Sequence, residues 1–214
     1  MSTVAVIDYG MGNLHSIGKA LQHADPKTQV VVTSDPVHIR NADRVVFPGV
    51  GAIRDCMAAL HHLNLVPLLA ELSVTKPFLG VCLGMQALLE ESEENDGIAC
   101  LGMLPGRVVK FADELKDEHG QALKIPHMGW NRVHQTGAHP LWEGIAQDSR
   151  FYFVHSYYAS PTKPEHVAAT TDFPLPFASA LNKGKLFAVQ FHPEKSQAAG
   201  LRLLTNFLHW NPSE

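Results

Sequence analysis

The sequence predicts an α/β fold: a single domain with a central, mostly parallel sheet flanked by helices and extended by antiparallel hairpins. Three observations carry this. In the first hundred residues, short β-branched apolar runs alternate with longer segments of helical period. Those runs are continuously apolar, as strands covered on both faces should be. From about residue 105, shorter segments separated by polar turns take over, which favours antiparallel pairing.

Taken in order, residues 4–7, 30–32, 45–47 and 78–81 are the expected parallel strands. Between the first two, Asn13 is placed to cap a helix whose apolar positions are Leu14, Ile17, Leu21 and Ala24. Ile53, Met57, Leu60 and Leu63 repeat that spacing. Residues 107–111 and 123–125, with the His119-Gly120 turn between them, read as hairpin strands. Residues 151–154 and 186–191 read as further strands. Leu201, Leu204 and Leu208 stripe a closing helix capped by Ser196. The acidic run 90–96, ending at Gly97, is expected to be a solvated helix end and the loop after it. The length of 214 residues fits one domain, 1–214.

Composition narrows the function. Seventeen Lys and Arg stand against 21 Asp and Glu, a net charge of −4, with no basic run, so nucleic acid is not an expected partner. Charged residues make up 18% of the chain, below the ~25% usual for soluble domains, which leaves room for a partner-covered surface. Cys56, Cys82 and Cys100 cannot all pair and show no C-x-x-C spacing, so a reducing compartment is expected. No apolar stretch reaches the ~18 residues of a membrane helix and no secretory leader is recognised, so the expected location is cytoplasmic. The histidines lack ligand-like spacing, and neither a metal nor an organic cofactor is expected. The Gly10-Met11-Gly12 fragment has His15 where a dinucleotide fingerprint needs its third glycine, and it reads as a turn.

The chemistry concentrates in three segments. In Gly80-Val81-Cys82-Leu83-Gly84-Met85-Gln86 a buried-type strand meets a helical run, expected over 85–89, at a cysteine flanked by glycines. That is the context of a nucleophile elbow, in which a sharp turn presents the thiol at the sheet edge and the helix N-terminus favours thiolate. The alternative is a buried structural cysteine, the role expected of Cys56 and Cys100. A thiolate needs a proton carrier, and of 13 histidines His192 stands out in Gln190-Phe191-His192-Pro193-Glu194. It follows an apolar strand, and Glu194 is spaced to orient its ring. Third, the loop Gly49-Val50-Gly51 follows another strand. With the N–H of Leu83 it can supply oxyanion donors, or it is a tight turn and no more.

These segments resemble those of the triad-type, class I glutamine amidotransferases. Residues 126–131 (Pro-His-Met-Gly-Trp-Asn), 152–158 (Tyr-Phe-Val-His-Ser-Tyr-Tyr) and 191–196 (Phe-His-Pro-Glu-Lys-Ser) are similar to the branch of glutaminase subunits that serve imidazole glycerol phosphate synthases. The resemblance implies that Cys82, His192 and Glu194 hydrolyse L-glutamine to glutamate and ammonia. It also implies substrate contacts from Gln86 and from the backbone around Gly49, Gly51, Ser156 and Tyr157. The ammonia would pass to a separate (β/α)8-barrel cyclase subunit in a heterodimer, docked on Met128, Trp130, Asn131, Tyr152 and Lys195. Docking would rotate the Gly49–Gly51 loop into its oxyanion-stabilising state. Two rival expectations are a glutaminase for a pyridoxal-phosphate synthase and a non-catalytic module with Cys82 as an oxidisable thiol. The latter leaves His192 and Glu194 without a role.

Overall fold

A computed structural model describes residues 2–116 and 119–212. Two of the residues of the expected 107–125 hairpin, 117 and 118, therefore lie outside the described residues, as do the ends of the expected domain, 1, 213 and 214. The strands β1 (Thr3–Ile7), β2 (Gln29–Thr33), β3 (Arg44–Gly49) and β4 (Phe78–Cys82) form where the apolar runs place them. Together with β14 (Leu186–Val189) they make a parallel array in the order β2-β1-β3-β4-β14. Helices α1 (Leu14–Ala24), α2 (Pro36–Asn41), α3 (Ile53–His62) and α4 (Val66–Thr75) connect them.

Alternate residues of β1, β3, β4 and β14 serve two different apolar clusters, whereas β2 lies at the sheet edge with Val32 45% exposed. Ala5, Ile7, Val45 and Phe47 join the cluster that holds Ile53, Met57 and Leu60 of α3. Val4, Val6 and Val46 join the one that holds Ile17 and Leu21 of α1 and Leu204 and Phe207 of α6 (Gln197–His209). Burial on both sides is why no polar alternation survives in these strands. Asn13 caps α1 as expected, its side chain accepting from Ser16 N–H at 3.4 Å. Leu63, by contrast, is the residue after the end of α3.

The sheet continues on the other side of β14 by antiparallel pairing. It runs antiparallel through β13 (Pro176–Lys183), β11 (Tyr157–Pro161) and β7 (Gly106–Lys110); the two-residue strand β5 (Glu91–Ser92) then pairs parallel with β7 and antiparallel with β6 (Ile98–Ala99). β12 (Val167–Asp172) and β9 (His134–Gln135) attach to β13 from the side. A separate antiparallel ribbon joins β8 (His127–Arg132) to β10 (Arg150–His155).

Four expectations need correction. Residues 123–125 are not a strand but the loop leading into β8. The strand expected over 186–191 stops at Val189, so His192 sits in the turn beyond it. The helix after Cys82, α5, spans Leu83–Ala87 rather than 85–89. The acidic run is mostly exposed, as expected, but it is not a helix end: it carries β5 and a short 3-10 turn, and three of its carboxylates hold backbone N–H groups. Glu90 accepts from Gly106 (2.8 Å), Glu93 from Lys110 (3.1 Å) and Glu94 from Ile53 (3.2 Å) at the start of α3. No single helix among the described residues is long and apolar enough to cross a membrane.

Candidate active site

The centre of the site is the junction of β4 and α5. Cys82 has φ 54° and ψ −110°, a conformation that side chains rarely adopt and that costs about 1–3 kcal/mol. The neighbouring glycines act by permitting close approach. A Cβ on Gly84 would lie 1.9 Å from the Phe47 carbonyl oxygen, and one on Gly80 would lie 2.9 Å from Leu88 and 3.1 Å from Ala188. The strain thus falls on Cys82 itself, held by α5 packed tightly over β3.

β3 lies beside β4 with Gly49 paired to Cys82, so the loop after Gly49 borders the thiol. A side chain at Gly49 would meet the Tyr9 hydroxyl at 2.4 Å, and Gly51 needs its left-handed φ of +100°. Tyr9, which the sequence reading passed over, donates from its buried hydroxyl to Pro48 O at 2.8 Å and so anchors this loop. Leu83 is the first residue of α5, where its N–H has no partner within the helix.

His192 and Glu194 form a buried pair, with Nδ1 2.9 Å from Oε1 and side chains only 2% and 3% exposed. The other ring nitrogen, Nε2, makes no hydrogen bond of ordinary geometry. Burial alone would push the imidazole down. The proximity of Cys82 and the hydrogen-bonded Glu194 more than reverses this and raises it to about 10. His192 is therefore an imidazolium at neutral pH, with Nδ1–H on the carboxylate and Nε2–H free for transfer. Burial pushes the Cys56 thiol up to about 12 and the Cys100 thiol up to about 11.

Ser196 stands at the first boundary of α6, but its side chain does not cap the helix. Its hydroxyl instead donates to His192 O at 2.6 Å and accepts from Tyr152 N–H at 3.0 Å. His192 N–H in turn donates to Tyr152 O at 2.9 Å, so the turn carrying the imidazole is fastened to β10.

A cavity of about 360 Å³ opens over Cys82. Val50, Gly51, Leu83, Gln86, Ser156, Tyr157 and His192 line it, so nearly all the expected catalytic and substrate residues converge. Gly49 and Glu194 lie behind, bordering a smaller void shared with Asn13. Glu94 also lines the main cavity and is a functional candidate that the sequence reading missed. Its signal was available only as one carboxylate within a run that looked solvated.

The expected docking residues separate into two sets. Met128 (61% exposed) and Trp130 (38%) project from the ribbon. Trp130 is paired with Tyr152, their rings 6.1 Å apart edge to face, and the Lys195 ammonium lies 5.8 Å above the Tyr152 ring. Asn131 does not join them. Its amide turns the other way and donates to Asp172 O at 2.9 Å and to His127 Nε2 at 3.2 Å. Behind it, His155 Nδ1–H donates to Tyr157 O (2.8 Å), which leaves Nε2 to accept from His127 Nδ1–H (2.9 Å). Burial holds both rings neutral, with His127 pushed down to about 4 and His155 to about 3.

This fold and this cysteine elbow define the class. The family model for glutamine amidotransferase class-I matches residues 5–210, and the chain belongs to that family. Two curated relatives carry the name imidazole glycerol phosphate synthase subunit HisH. The Methylococcus capsulatus protein is 66% identical over 99% of this chain and 98% of its own length. The Nitrosococcus oceani protein is 61% identical over 99% of each. Solved structures agree on the fold: a glutamine amidotransferase at TM-score 0.72 with 17% identity covers 96% of this chain and 97% of its own. PurLQS from Thermotoga maritima, at TM-score 0.69 with 15% identity, covers 97% of this chain and 98% of its own.

Proposed function

We propose that this chain is the glutaminase subunit of an imidazole glycerol phosphate synthase, acting through Cys82, His192 and Glu194 in histidine biosynthesis. The observation that carries this is one cavity lined by a strained cysteine and by His192, whose ring is paired with the buried Glu194 carboxylate behind it. The Cys82 thiolate attacks the side-chain amide carbon of L-glutamine. The C–N bond then breaks as His192 Nε2–H passes its proton to nitrogen, releasing ammonia. Water next adds to the thioester and gives a proton to His192. The C–S bond breaks, and glutamate leaves with the thiolate restored. N–H groups of the Gly49–Gly51 loop and of Leu83 hold the oxyanion, each worth about 3–4 kcal/mol in the transition state. The Glu94 carboxylate takes the substrate ammonium, and Ser156 and Tyr157 line the same cavity.

Ammonia passes to a separate (β/α)8-barrel cyclase docked on Met128, Trp130, Tyr152 and Lys195, in the cytoplasm, where the three unpaired thiols would stay reduced. Asn131 is better assigned to bracing the ribbon from within. Docking moves the Gly49–Gly51 loop into its oxyanion-stabilising arrangement. Glutamate release should therefore be measured for the chain alone and with a histidine-pathway cyclase plus its ligand. Strong activation is expected, and equal rates with and without the cyclase would refute the coupling. No turnover and no complex would refute the partner assignment and the glutaminase assignment together.

A further inference from the structure

Gln190 has no part in the chemistry assigned to the three residues above, yet it is completely buried and touches the nucleophile. The orientation of its amide follows from its neighbours. Gln86 spends its Nε2 hydrogens on two acceptors, Tyr157 O at 2.8 Å and Gln190 Oε1 at 3.0 Å. The Gln190 oxygen is thereby turned toward Gln86, and its nitrogen toward Cys82 Sγ, 3.7 Å away. That separation suits a donor to the large sulfur atom. A buried amide is costly unless its hydrogens are used, and a thiolate is the acceptor that uses this one best.

The chemical difference between this donor and His192 matters. An imidazolium that stabilises a thiolate can also protonate it and return the weaker nucleophile. An amide N–H cannot give up its proton, so it stabilises the charge without quenching it. We propose that Gln190 is a further catalytic residue of the glutaminase reaction, donating its side-chain N–H to the Cys82 thiolate, and that Gln86 positions it. The proposal rests on Cys82 being the nucleophile. The other titratable groups near the sulfur are His192 with Glu194 behind it and the Tyr9 phenol; His155 lies beyond His192, and Glu94 lines the same cavity. A Gln190 substitution leaves all of them in place.

The test follows iodoacetamide labelling of Cys82 in the full chain by mass spectrometry across pH 5 to 9, alongside glutamine turnover in the presence of the cyclase. Gln190→Glu keeps the acceptor for Gln86 and removes the donor; Gln190→Met removes the donor without adding charge. A hydrogen bond to a charged group predicts a roughly tenfold to hundredfold fall in kcat with KM little changed. The labelling midpoint should rise by about one to two pH units. A folded Met variant with both kcat and midpoint unchanged would overturn the proposal. If neither variant folds, the Gln190 side-chain amide resonances of the wild-type chain decide. They should shift with Cys82 ionisation, and indifference to it would be equally fatal. Cys82→Ala separates the two levels: retained glutamine turnover there defeats the nucleophile assignment itself, whereas its loss beside a normal Gln190→Met defeats only the role of Gln190.

Discussion

The two halves of the sheet solve different problems with different means. In the parallel half, the Cys82 thiol is placed by the backbone, through the strained conformation of Cys82 and the close approach of Gly84 to the Phe47 carbonyl. In the antiparallel half, with the separate β8–β10 ribbon beside it, the cavity wall is held by side chains in series, from the partly buried Asn131 through the buried His127 and His155 to the Tyr157 carbonyl. The parallel half is thus intolerant of added atoms, and the antiparallel half is sensitive to protonation.

The largest effect should come from Cys82→Ala. Glutamine-dependent synthesis should fall on the order of 10⁶-fold, by analogy with loss of other protein nucleophiles. Synthesis from added ammonia should be intact, and its loss would show that the two reactions are not separate. Glu194→Gln keeps the shape of the buried pair and should cost roughly 10³- to 10⁴-fold in kcat, because the imidazolium loses its carboxylate. The wild-type rate should also decline as the pH passes about 10, where His192 loses its proton.

Gly84→Ala sharpens the contrast. With a Cβ only 1.9 Å from a backbone oxygen, either β3 or α5 must move, at a cost of about 1–3 kcal/mol or more. Thermal unfolding would register it, and an unchanged Tm would mean the elbow is looser than its geometry.

The antiparallel half should yield to acid instead. His127 and His155 are held neutral when folded, so the unfolded chain takes up protons that the native one refuses. Stability should be full above about pH 6.5 and should fall with pH through about 4 and about 3. Urea midpoints between pH 7 and 4 read this directly, and His127→Gln should flatten the slope. Smallest for the fold, Trp130→Ala should weaken cyclase binding by about 2 kcal/mol while barely moving Tm. A large loss of Tm would make Trp130 a core residue.

The same contrast explains what could be read from the sequence. Continuous apolar runs announce strands buried on two faces, and glycine–cysteine–glycine beside a helix announces the elbow, since both signals are local. α2 and α4 escaped because the first is short and the second is apolar nearly all round, without a clear polar face. The hydrogen-bonded series was invisible because its members come from residues 86, 127, 131, 155 and 190, which only the fold brings together. Ser196 was placed correctly at the start of α6, but its hydroxyl chose a distant strand over its own helix. Glu94 was lost within an acidic run whose carboxylates turned out to serve as backbone acceptors.

The fastening of His192 to Tyr152 has a consequence for how such a protein can change over generations. All three bonds run through main-chain atoms of position 152 or through the Ser196 hydroxyl, and none uses the tyrosine ring. Under the proposed docking, the ring is therefore free to be exchanged to suit a new partner surface while the backbone keeps the imidazole in register. Recognition can drift at the very residue that anchors catalysis.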